Sequence, residues 1–131
     1  DQDAARTIVA TTRDADREKL SSLERMGIEV LIVDSDEWRR VELGHLLKEL
    51  GRKSISSVLA EGGAGIITSL IAQGQADKLV AIVAPRIMGS GIDTIGDLGT
   101  LNVDQALRLS FDRVYRSGDD LVIEARRGTR D

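Results

Sequence analysis

Ala60-Glu61-Gly62-Gly63-Ala64-Gly65 stands between an apolar run, Ile55 to Leu59, and a helical pattern, Ile66 to Gln73. The first backbone N–H groups of a helix have no intrahelical acceptor, and the helix dipole adds partial positive charge at that end. Glycines there let a phosphate approach the backbone without a Cβ in the way. The junction therefore reads either as a pyrophosphate cradle with Glu61 at its lip or as a tight strand-to-helix corner. It is not the common dinucleotide fingerprint, because a third glycine counted from Gly63 and Gly65 would fall at Thr68. No Gly-Lys-Ser/Thr follows, which excludes a P-loop. Thr68 and Ser69 could bond a phosphate or be ordinary first-turn helix residues.

The other polar candidates are weaker. Thr11 and Thr12 follow the first apolar run and could reach a ribose or phosphate, or could begin a loop in which Thr12 or Asp14 caps the next helix. A carboxylate such as Glu61 at the end of a parallel strand can hold a ligand hydroxyl or amine; it can equally favour the helix dipole. Asp34, Asp36 and Glu37 suit a solvated helix cap better than a divalent-metal site, since no ligand loop surrounds them. His45, the single histidine, has no obvious serine or aspartate companion and reads as structural. Arg86 could contact phosphate or be a surface charge. No catalytic side chain and no metal ligand set emerges.

These residues are positioned by a recognisable order of elements. Arg6 to Thr11, Ile28 to Val33, Ile55 to Leu59 and Asp77 to Pro85 read as buried strands. Asp14 to Met26, Val41 to Leu50 and Gly63 to Gln73 read as helices, stopped near Gly27, Gly51 and Gly74. Arg86 to Asn102 is a long glycine-rich connection. Ala106 to Tyr115 and Leu121 to Arg127 flank Arg116-Ser117-Gly118-Asp119-Asp120 as an antiparallel hairpin, with Leu107, Leu109 and Phe111 on its dry face. The expected fold is α/β: a mostly parallel sheet with helices on both faces and a C-terminal antiparallel hairpin, in a single domain over residues 1–131.

Composition narrows the class. The chain has 131 residues, 41% hydrophobic and 31% charged, with a net charge of −4 that disfavours a general nucleic-acid surface. Trp38, Phe111 and Tyr115 are the only aromatics, and the absence of cysteine rules out disulfides and thiolate chemistry. No apolar stretch reaches membrane-spanning length, and Asp1-Gln2-Asp3 does not open a signal peptide. A soluble, cytoplasmic protein is expected.

The run Val58 to Gly91 resembles the C-terminal reductase domain of bifunctional riboflavin-biosynthesis deaminase/reductases. The resemblance rests on the Glu61-Gly62-Gly63 turn, the helix after it, Asp77-Lys78-Leu79, and Ala84-Pro85 followed by Ile87-Met88-Gly89-Ser90-Gly91. Thr11-Thr12 and Gly27 to Leu31 fit the same order. It implies a dihydrofolate-reductase-like fold and NADPH-dependent reduction of 5-amino-6-(5-phosphoribosylamino)uracil to its ribitylamino product, with hydride delivered to C1′ of the opened sugar. It also implies that Gly62, Gly63, Ala64 and Gly65 cradle the cofactor pyrophosphate. Glu61 would lie beside the substrate or nicotinamide, with Thr11 and Thr12 near the adenosine half. The family's leading strand, with its Leu-Asp-Gly-type motif, and its zinc-binding deaminase half have no counterpart here, so the chain is expected to be the later part of that domain, with turnover impaired in isolation. A homodimer is expected through the hairpin and the open sheet edge. Two rival readings stay open: a non-catalytic nucleotide-binding or oligomerisation module, and a related enzyme acting on another pteridine or pyrimidine.

Overall fold

The computed structural model describes residues 7–128. They fall into two compact units that meet in sequence between Leu59 and Ala60. The expected opening of the first strand at Arg6, and the reading of Asp1 to Asp3, lie outside the described residues.

The first unit is built on two strands, β1 (Ile8–Thr11) and β2 (Glu29–Ile32), paired in parallel from Ile8↔Glu29 to Thr11↔Ile32. Parallel neighbours need a crossover, and α1 (Arg17–Arg25) supplies it, packing on β2. The helix starts later than its pattern suggests because Asp16, rather than Thr12 or Asp14, is the cap. The Asp16 Oδ1 accepts from the amides of Glu18 at 2.8 Å and Lys19 at 3.2 Å. Gly27, at φ 78°, stops the helix as expected, and its amide donates to the Glu24 carbonyl at 2.9 Å. Val33 continues β2 by donating to the Thr11 carbonyl at 2.9 Å and is the most enclosed large apolar residue of the unit, 2% exposed.

Helix α2 (Leu43–Arg52) is capped by Glu42, whose carboxylate takes the amides of Gly44 at 2.9 Å and His45 at 2.5 Å. Gly51 does not end it. The helix runs one residue further and turns out at Ser54, which takes φ 65° itself. Ile55 to Leu59, expected as a third strand, forms no ladder and is exposed throughout. A strand exists only through its partner, and none is paired with this apolar run among the described residues.

The second unit opens with α3 (Ala64–Ala72), close to its expected bounds. A three-stranded sheet follows, in the order β3-β5-β4, from β3 (Lys78–Val83), β4 (Leu109–Ser117) and β5 (Asp120–Arg127), all antiparallel. The expectation of a mostly parallel sheet is thus not met: among the described residues only β1 and β2 pair in parallel. The hairpin is as expected, though tighter, turning through Gly118 (φ 61°) and Asp119 between the paired Ser117 and Asp120. Its second strand enters between β3 and β4, so β3 pairs with an antiparallel neighbour.

Burial follows β5. Val122, Glu124 and Ala125 are buried, whereas β4 is exposed along its length, so Leu109 and Phe111 do not form the dry face expected of them. Nor is β3 buried on both faces; Leu79 and Ala81 are half-covered and its other residues exposed. Val103–Gln105 form a short 3₁₀ turn, and β4 begins at Leu109, later than the expected Ala106.

Candidate functional site: a glycine-started helix

The start of α3 carries no side-chain cap. Gly63 precedes the helix at φ 70° and ψ 127°, a backbone region that side chains with a Cβ rarely enter. Its carbonyl accepts from Ile66 at 3.1 Å and Ile67 at 3.3 Å, so the helix is already wound by its first turn. The amides of Ala64 and Gly65 have no protein acceptor among the described residues. A Cβ added at Gly62, Gly63 or Gly65 would meet nothing within 4 Å, so the space over this backbone is open. Free N–H donors, the positive end of a helix dipole and an unobstructed approach suit a phosphate oxygen. Glu61, exposed and without a protein partner among the described residues, stands two residues before the positive-φ glycine.

Glu61, Gly62, Gly63, Ala64 and Gly65 are thus consecutive parts of one turn. Thr11 and Thr12 belong to the other unit, where Thr11 is the last residue of β1. Both are half-buried, and their carbonyls accept from Val33 and Ala15, while neither hydroxyl has a protein partner among the described residues. They remain available to a ligand at the C-terminal end of a parallel strand, where ligands of open α/β sheets collect.

The remaining polar candidates have structural occupations. Thr68 Oγ1 donates to the Ala64 carbonyl at 2.5 Å and accepts from the Gly96 amide at 2.7 Å, tying α3 to the glycine-rich segment. Asp36 organises a turn rather than capping a helix. Its Oδ1 accepts from the amides of Trp38 at 3.0 Å and Arg40 at 2.7 Å, and its Oδ2 from Arg40 Nε at 2.9 Å. Partial desolvation raises its pKa, but the Arg40 amide, the Arg40 guanidinium and the Trp38 amide outweigh it and hold the carboxyl below its ordinary value. Arg86 is exposed and its side chain touches no acceptor among the described residues.

His45 has acidic company on both ring nitrogens. Its Nδ1 lies 3.1 Å from the Asp34 amide and 2.9 Å from Asp34 Oδ2, and its Nε2 is 3.3 Å from Glu49 Oε1. When Nδ1 accepts from the Asp34 amide, Nε2–H donates to Glu49; a protonated ring reaches both carboxylates. Glu49 could have been found from the i,i+4 spacing on α2. Asp34 could not, because it arrives from the end of β2.

A second cluster escaped the sequence reading entirely. Glu124, with its side chain 11% exposed, accepts from Lys78 Nζ at 2.6 Å and Tyr115 Oη at 3.2 Å, with Arg113 3.9 Å away. The Lys78 hydrogen bond holds this carboxyl below its ordinary pKa against desolvation, helped by Tyr115, Lys78 charge and Arg113 charge. Cross-strand pairing places these residues together: Val80↔Glu124 and Arg113↔Glu124 are register partners. An apolar cavity of about 430 Å³ lies at the far end of α3 between Ile71, Ala76, Leu79, Leu98 and Leu107, and Lys78 of this cluster also lines it.

The described residues thus form an α/β chain whose glycine-started helix exposes free amides just after a carboxylate. The chain belongs to the RibD C-terminal domain family, whose model matches residues 1–123. It is 35% identical over 126 residues to the riboflavin biosynthesis protein RibD of Aquifex aeolicus (strain VF5), covering 91% of this chain and 31% of that protein. It is 31% identical over 121 residues to RibD of Actinobacillus pleuropneumoniae, covering 91% and 32%. The chain therefore spans about a third of the length of these curated relatives. Among solved structures it resembles RibD of Acinetobacter baumannii, with a TM-score of 0.74 at 22% identity over 92% of this chain and 31% of that one. It also resembles a diaminohydroxyphosphoribosylaminopyrimidine deaminase/5-amino-6-(5-phosphoribosylamino)uracil reductase of Thermotoga maritima, with a TM-score of 0.70 at 24% identity over 95% and 31%. These likenesses establish the fold.

Proposed function

We propose that the chain is the reductase part of a riboflavin-biosynthesis protein, using NADPH to reduce 5-amino-6-(5-phosphoribosylamino)uracil to its ribitylamino product in the cytoplasm. The observation that carries this reading is the uncapped start of α3, with free amides at Ala64 and Gly65 under open space. In this reading Gly62, Gly63, Ala64 and Gly65 receive the cofactor pyrophosphate, and Thr11 and Thr12 contact the adenosine half. Bound there, the nicotinamide supplies a hydride. Glu61 holds a substrate hydroxyl or amine and so orients the carbon that accepts it. The protein's work in such a reaction is to bind, align and exclude water, which requires no side-chain nucleophile.

Two measurements on the chain test this. Loss of NADPH absorbance on adding the pyrimidine substrate would support the reductase; cofactor binding without turnover would favour a non-catalytic nucleotide-binding module. Replacing Glu61→Gln is expected to lower kcat/KM about 10- to 100-fold, the range for losing one charge-assisted hydrogen bond. Cofactor affinity is expected to stay unchanged. An unchanged kcat/KM would remove Glu61 from the substrate site.

A further inference from the structure

Trp38 is the single tryptophan of the chain, and it is 66% exposed. It sits in the connection that follows β2, on the same C-terminal edge of the parallel pair as Thr11 and Thr12. The connections after β1 and β2 are tied together there, because Arg39 Nη2 meets Asp14 Oδ2 at 2.9 Å. The turn carrying the indole is tightly held. Besides the three bonds to the Asp36 carboxylate, the Asp36 amide donates to the Arg40 carbonyl at 2.7 Å, and Ser35 and Val41 bridge beneath it. The Arg40 guanidinium lies over the indole, 4.8 Å from its centroid.

From this arrangement we propose that Trp38 is the stacking platform for the purine base of an adenine nucleotide, with Arg40 bracing the ring. The proposal rests on the cofactor reading above and adds the residue that recognises the base. The side chains about the indole suit a base. Arg39 is paired with Asp14 and Arg40 with Asp36, while Asp34 and Glu37 add further negative charge. A base with an exocyclic amine would meet an aromatic face with carboxylate acceptors nearby. A held, exposed indole also loses little conformational freedom when a base stacks on it.

The lone tryptophan makes the test direct. NADPH and adenosine 2′,5′-bisphosphate should each quench its fluorescence saturably, and nicotinamide mononucleotide should not. By calorimetry, Trp38→Ala should weaken both adenine ligands about 5- to 100-fold, the range for one base stacked on an aromatic ring. Trp38→Phe should keep most of the affinity and guards against misfolding of the alanine variant. If NADPH binds the wild-type chain without altering Trp38 emission, or binds Trp38→Ala as tightly as wild type, the platform is refuted while the reductase reading stands. If NADPH does not bind the wild-type chain at all, both fall.

Discussion

At the scale of single residues, the two glycines of the α3 start make different demands. Gly63 is required by conformation, since its φ of 70° with ψ of 127° is a region that a side chain enters at a cost of about 1–3 kcal/mol. Gly65 has no positive φ, and a methyl group in place of its hydrogen would meet nothing within 4 Å, so conformation does not demand it. The two substitutions therefore separate folding from binding. Gly63→Val should lower the unfolding free energy by about 1–3 kcal/mol. Gly65→Ala should leave stability unchanged or raise it by up to about 1 kcal/mol, because alanine is the better helix former, while weakening NADPH through the added methyl. Denaturant titration beside calorimetry checks both; a Gly65→Ala chain that binds NADPH like wild type would show that the cofactor does not approach this backbone. The glycines were legible in the sequence as a motif, but which one is conformationally obligatory was not, since that depends on the φ and ψ the chain takes at the corner.

At the scale of elements, the pattern located helices better than it located their ends. Thr12, Asp14 and Asp16 are three plausible caps in five residues, and the turn that closes when Ala15 donates to Thr12 selects the last. Asp16→Ala is expected to destabilise the first unit by about 1 kcal/mol, whereas Thr12→Ala should not; thermal unfolding followed by circular dichroism compares them. The Glu124 cluster was hidden for a related reason, because cross-strand neighbours are set by register and not by spacing along the chain. Its pH behaviour follows from the sign of the shift. Folding depresses the Glu124 carboxyl, as it does that of Asp36, so their stabilisation is complete above the ordinary carboxylate range and is lost as pH falls through the depressed values. Melting temperatures taken from about pH 7 down to about pH 3 should fall less steeply for Glu124→Gln than for wild type. Its melting temperature near neutral pH should be lower, since the Lys78 pair is gone.

At the scale of the whole chain, the βα order was legible but the sheet was not. The alternation through β1, α1 and β2 correctly implied a parallel crossover, yet extending it to Ile55–Leu59 and to β3 assumed partners that sequence order does not specify. Inserting β5 between β3 and β4 gives the second unit its antiparallel sheet and leaves β4 on an edge. That edge bears on the proposed homodimer. Phe111 and Val114 are exposed on it, an arrangement that invites pairing with another strand, and the irregularity between Phe111 and Arg113 limits how long a continuous pairing can be. A twofold contact of β4 with its copy would place Arg113 and Arg116 of each strand near their counterparts, so association should strengthen as salt screens that repulsion. Light scattering at increasing concentration should show the mass rising towards twice that of the chain, more readily at high ionic strength, and Val114→Lys should hold it at the monomer value. A dimer that survives Val114→Lys, or that salt dissociates, would move the contact away from β4.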